Sequence, residues 1–122
     1  MTLSELLFTV RGRISRKAYW FATVILFAAG LVASILDWIV FGTRSGAISA
    51  IVALVSLFAS IAVGVKRWHD RDKSGWWILI VLVPVIGWIW AIVENGFLRG
   101  TIGPNRFGSD PLGPSRDGYP LR

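Results

Sequence analysis

Three apolar runs, each 19 residues long and free of charge, divide a 122-residue chain: Ala18 to Leu36, Ala47 to Val65 and Gly75 to Val93. A helix rises about 1.5 Å per residue and a bilayer's hydrocarbon core is about 30 Å thick, so each run is long enough to cross it. The same helices in a soluble bundle would need a polar stripe. Apart from the Tyr19 phenol at the edge of the first, these runs offer only the hydroxyls of Thr23, Ser34, Ser49, Ser56 and Ser60. Composition agrees: 54% of residues are hydrophobic and 16% charged, against about 45–50% and 25% in soluble domains. The first run is also longer than the roughly 7–15 residues of a signal peptide's apolar region, and two more follow, so it reads as an anchor that stays.

The chemistry open to the chain is narrow. There is no cysteine and one histidine, His69, which excludes a thiolate or multi-histidine metal site; neither metal nor cofactor is expected. His69-Asp70 has the composition of a base with its orienting carboxylate, but no Gly-x-Ser-x-Gly elbow, phosphate loop or paired mid-membrane carboxylates accompany it. The expectation is a protein that is not an enzyme and has no catalytic residues. The net charge of +6 belongs to loops beside the runs, not to a free basic face, so nucleic acid is not an expected partner.

The expected fold is an all-α membrane protein with three transmembrane helices, a short N-terminal amphipathic segment and an extended Gly/Pro-rich C-terminal tail. Residues 1–111 form one membrane domain, and 112–122 a flexible tail. Thr2-x-x-Glu5 has capping-box spacing, and Leu3, Leu6, Leu7 and Val10 follow at helical intervals, which suits a helix lying on the membrane surface. Lysine and arginine are dense before residue 18 and in the loop Lys66 to Ser74, which places both on the cytoplasmic side. Three crossings then leave the tail outside. The alternative is a re-entrant hairpin broken at Pro84 and Gly87, which returns the tail inside.

Small residues on the second run, Ser49, Ala53, Ser56, Ser60 and Gly64, recur at helical spacing, and Gly30 and Ser34, with Ala22 and Ala33, offer a matching face on the first. Such faces let helices approach closely in lipid and also fit a homo-oligomer or a membrane-protein partner. Six tryptophans, Trp20, Trp38, Trp68, Trp76, Trp77 and Trp90, sit where aromatic rings anchor at headgroup level, with Trp88 slightly deeper. Asp37 and Arg44 after the first run, with Glu94 and Arg99 after the third, suggest an ion-pair network at the outer boundary.

Gly12-Arg13-Ile14-Ser15-Arg16-Lys17-Ala18-Tyr19-Trp20, then Val65-Lys66-Arg67-Trp68-His69-Asp70 with Ser74-Gly75-Trp76-Trp77, then Pro84-Val85-Ile86-Gly87, and Gly103-Pro104-Asn105-Arg106-Phe107-Gly108-Ser109-Asp110-Pro111 form an ordered set of motifs. From about Leu7 to Pro111 the chain resembles the domain-of-unknown-function family 805. The resemblance implies a small bacterial inner-membrane protein, multi-pass, with no established reaction, cofactor or substrate. Because the motifs lie at helix ends and join basic residues to rings, the expected role is binding of anionic lipid headgroups or a partner protein. The candidate residues are Arg13, Arg16, Lys17, Tyr19, Trp20, Lys66, Arg67, His69, Asp70, Trp76, Trp77, Asn105, Arg106 and Phe107. Competing expectations are a subunit of a small oligomeric channel or transporter, and an enzyme acting on lipid headgroups through His69 and Asp70.

Overall fold

The computed structural model describes residues 2–43 and 46–112. Arg44, and all of the tail expected to be flexible (112–122) except Leu112, lie outside the described residues. Among the described residues four α-helices occur in order: α1 (Leu3–Phe8), α2 (Arg16–Phe41), α3 (Ala47–Asp70) and α4 (Ile86–Ile92); a 3-10 helix, Gly75–Leu82, precedes α4, and a π-helical turn, Val93–Phe97, follows it. Among the described residues there is no strand, only one isolated bridge between Asn105 and Gly108.

The 26 residues of α2 and 24 of α3 correspond to about 39 and 36 Å, more than a hydrocarbon core. Only 11% and 22% of their most apolar windows are buried. A soluble core helix would hide most of that surface; here it faces outward, as membrane insertion requires. The first starts at Ser15, whose hydroxyl accepts from the Ala18 amide, and stops where Gly42 turns left-handed at φ 69°. The second has no cap of its own side chains: Gly46 stands at the N-cap. Asp37, one turn before the end of α2 and fully buried, supplies it, accepting from the amides of Gly46 (3.0 Å), Ile48 (3.1 Å) and Ser49 (2.7 Å). A carboxylate at an N-terminus satisfies orphan donors and opposes the positive end of the helix dipole.

The small residues of α2 and α3 are buried to different degrees. Ala22 and Ala33 of α2 and Ala59 and Ala62 of α3 are buried; Gly30, Ser34, Ser49 and Ser56 are half-buried, whereas Ala53 and Ser60 face outward. Gly64 packs on Ile78 of the 3-10 helix instead.

The third apolar run is not one helix. Pro84 cannot donate to the ladder and forces Val83 into an extended conformation (φ -86°, ψ 107°). Val85 then takes φ 64°, and the Ile86 amide reaches back to the Pro84 carbonyl at 2.7 Å. From this turn the two legs run back along each other: Trp88 Nε1 donates to the Val81 carbonyl at 2.8 Å, the Trp77 and Trp90 rings lie 6.2 Å apart, and Lys73 meets Glu94. Gly87 makes the close approach feasible, since a Cβ there would collide with the Ile80 main-chain carbonyl. The eight residues of the descending leg reach about 16 Å, half a bilayer core. Consequently residues 94–108 return to the end of the molecule that holds residues 12–16 and 66–73. The third run is therefore a bent hairpin and not the single long helix expected, because the proline break reverses the chain.

α1 is too short to hold itself. Its capping box forms, with Glu5 N donating to Thr2 Oγ1 (3.2 Å) and Thr2 N to Glu5 Oε2 (3.0 Å). At the other end the buried Lys66 ammonium donates to the carbonyls of Glu5 (2.5 Å) and Leu6. Leu6 and Leu7 enter a core with Ile14, Ala22, Ala59 and Val63, while Leu3, Phe8 and Val10 remain exposed. The segment is thus docked on α3 by half of its apolar face.

Candidate functional site

The C-terminal end of α3 carries Lys66, Arg67, His69 and Asp70 into the region where the N-terminal segment and the returning tail meet. Asp70 is fully buried and lies between two guanidinium groups. Arg13 approaches Oδ1 through Nη2 (2.9 Å) and Nε (3.1 Å), and Arg67 approaches Oδ2 through Nη1 (2.5 Å). The arginines are also spent on main chain. Arg13 Nη1 donates to the carbonyls of Gly103 (2.6 Å) and Gly108 (3.2 Å), and Nη2 to Thr101 (2.5 Å). Arg67 donates through Nε to Asn95 (2.5 Å), Nη1 to Ile14 (3.1 Å) and Nη2 to Leu98 (2.9 Å). The Asp70 carbonyl accepts from the Thr101 amide at 2.6 Å. Two guanidinium forks therefore satisfy six carbonyls of irregular backbone, a task suited to arginine's fixed array of donors.

Arg13, Arg67 and Asp70 are among the residues that the sequence points to for an outward, headgroup-binding role. Buried and saturated by the chain itself, they form an internal clamp. The carbonyls of Thr101, Gly103 and Gly108 were missed, because a tail rich in glycine and proline reads as extended. Gly100 carried the available signal: a Cβ there would fall within the Asp70 carboxylate.

His69 and Asp70 do not form a dyad. The His69 Nδ1 lies 2.9 Å from the Gly12 carbonyl, and its ring stacks on Phe107 with centroids 4.0 Å apart. Asn105 Nδ2 donates to the His69 carbonyl at 2.8 Å, and Arg106 reaches the carboxylate (3.2 Å) and carbonyl (2.6 Å) of Asp72. The Asn105–Phe107 motif thus latches the tail to the end of α3. Tyr19 and Trp20 pack edge-on, and Trp20 Nε1 donates to the Gly96 carbonyl at 2.8 Å. Arg16 donates to the Phe97 carbonyl at 2.8 Å, and Lys17 is exposed.

A second cluster closes the hairpin's mouth. Glu94 accepts from Lys73, from Arg71 Nε (3.4 Å) and from Trp90 Nε1 (2.6 Å). Burial alone would raise this carboxyl, but the hydrogen bonds from Lys73 and Trp90 and the charges of Lys73 and Arg71 hold it below the ordinary glutamate range. The Lys73 ammonium also sits over Trp77, 4.6 Å from the ring centre. Trp76 is 78% exposed, as an interface anchor would be, but Trp68 is fully buried and packs on Trp77 at 5.8 Å; its expected role at the headgroup boundary is corrected to core packing. Nor do Asp37 and Glu94 share a boundary, since the hairpin carries Glu94 to the end opposite the Asp37 cap.

Comparison with known proteins agrees with this architecture of apolar helices. The chain is 40% identical over 105 residues to the inner membrane protein YhaH of Escherichia coli K12, covering 83% of this chain and 85% of that protein. It is 35% identical over 100 residues to the inner membrane protein YhaI of the same organism, covering 82% and 83%. With the uncharacterized protein YiiR, also from that organism, identity is 30% over 135 residues and 90% of each chain is covered. No solved structure matches. The family described as proteins of unknown function, DUF805, matches residues 7–109, which is nearly the whole described chain, and the protein belongs to that family.

Proposed function

We propose that the chain is a non-enzymatic inner-membrane protein that crosses the bilayer twice and dips into it once, and that its cytoplasmic end binds anionic phospholipid headgroups. The observation that carries this reading is the gathering of cations at one end: Arg11, Arg16, Lys17, Arg71, Lys73, Arg99 and Arg106 surround the Arg13–Asp70–Arg67 clamp, because the hairpin returns the tail there. The positive-inside bias then orients α2, α3 and both flanking segments together. Since the clamp's own arginines are engaged by main chain, headgroup contact falls to the exposed rim, which includes Arg11, Lys17, Arg99 and Arg106. Each near-surface cation is worth about 1 kcal/mol towards an anionic leaflet.

Native mass spectrometry of the protein extracted with phosphatidylglycerol and phosphatidylethanolamine tests the reading. An Arg11→Gln, Lys17→Gln double variant is expected to retain phosphatidylglycerol at least fivefold less, with phosphatidylethanolamine unchanged. Equal retention by wild type and variant would overturn it.

A further inference from the structure

A groove of about 480 Å³ runs along the outer face of the returning leg, lined by Ile86, Ile89, Trp90, Val93, Glu94 and Leu98. The spacing of these positions makes one continuous stripe on a helix. From Ile86, beside the turn, to Glu94, at the mouth, the stripe covers about 12 Å, close to the roughly 15 Å of one leaflet's hydrocarbon. Its chemistry changes along that length. The inner part is aliphatic and exposed, with Ile86 at 68% and Ile89 at 59%. At the mouth stand Arg71, Lys73 and Arg99 against the single carboxylate of Glu94. Arg71 is tied to this spot by Glu94 and by the Arg99 carbonyl, and the Arg99 side chain is exposed. The mouth therefore has a cationic surplus directly above an apolar channel one leaflet deep.

We propose that this groove holds one acyl chain of an anionic phospholipid, with its phosphate received by Arg99, Arg71 and Lys73. The inference rests on the headgroup-binding reading and gives it a definite site on the hairpin. A lipid there would cover the apolar leg and neutralise the surplus charge together, which neither an alkyl chain nor a soluble anion would do alone.

The test is phosphatidylglycerol carrying a diazirine on one acyl chain, incorporated with phosphatidylethanolamine into nanodiscs holding the full-length protein. Crosslinks are expected to concentrate on residues 86–98, several-fold above the equally exposed Phe27, Ile39, Leu54 and Leu57. Ile89→Trp, which fills the groove from an exposed position, should abolish that excess. Arg99→Gln should weaken retention about fivefold, the worth of one near-surface cation. Even labelling of α2, α3 and α4 means annular lipid only and overturns the proposal, as does unchanged retention by Ile89→Trp. If Arg11→Gln with Lys17→Gln lowers retention while Ile89→Trp does not, rim binding stands and the groove fails. If neither variant changes it, both fail.

Discussion

Asp70 shows how much a single carboxylate can organise. It neutralises two buried guanidinium groups, and through them fixes the carbonyls of Ile14, Asn95, Leu98, Thr101, Gly103 and Gly108. Removing one member of a buried ionic cluster leaves uncompensated charge, which costs about 3–5 kcal/mol. Asp70→Asn is therefore expected to lose stability of that order in thermal unfolding followed by circular dichroism, and to expose residues 99–110 to protease. Glu94 gives a pH-dependent counterpart. Its carboxyl is held below the ordinary range in the folded protein, so its contribution is complete above the unfolded value of about 4.3 and is lost as pH falls towards the folded one. The melting temperature should fall as the pH is lowered from about 4.3 towards the folded value, and Glu94→Gln should flatten that dependence; an identical slope in the variant would contradict the assignment. At this scale the sequence showed which residues matter but not what they touch. A charged motif at a helix end looks the same whether it faces headgroups or six carbonyls of its own chain. The partners are main-chain carbonyls, which no side-chain pattern in the sequence identifies.

At the scale of elements, the hairpin is the part on which the topology depends. The break at Pro84 frees the Val81 carbonyl in an apolar setting where an unsatisfied group is costly, and the Trp88 indole satisfies it. Close contact of the legs then needs a residue without a Cβ at 87. Gly87→Val is expected to force the legs apart and to destabilise the fold by about 1–3 kcal/mol, with Trp77 and Trp90 becoming more accessible to an aqueous quencher. An unchanged quenching profile would argue against the packed hairpin. α1, α2 and α3 were legible, since capping residues and uninterrupted apolar length fix them locally. The third run has the same length, and its Pro84 and Gly87 were visible as a break. Choosing the bent form over the straight one depends on pairings such as Lys73 with Glu94 and Val81 with Trp88, which no local pattern records. Asp37 illustrates the same limit: it caps a helix beginning ten residues later.

The whole molecule is built on two long helices joined at one end, with a clamp at the other where the N-terminal segment, the end of α3, the hairpin's mouth and the tail converge. On the proposed topology both terminal segments share a side of the membrane, and that side bears the cationic rim and the mouth of the proposed groove. The absence of native cysteine allows this to be measured directly. Single cysteines at Ser4, Thr43 and Ser109 would be labelled with a membrane-impermeant maleimide in intact spheroplasts and again after permeabilisation. Labelling of Thr43 in intact spheroplasts, with Ser4 and Ser109 reached only after permeabilisation, is the predicted result. Labelling of Ser109 without permeabilisation, with Ser4 protected, would contradict the returning hairpin and restore a third crossing.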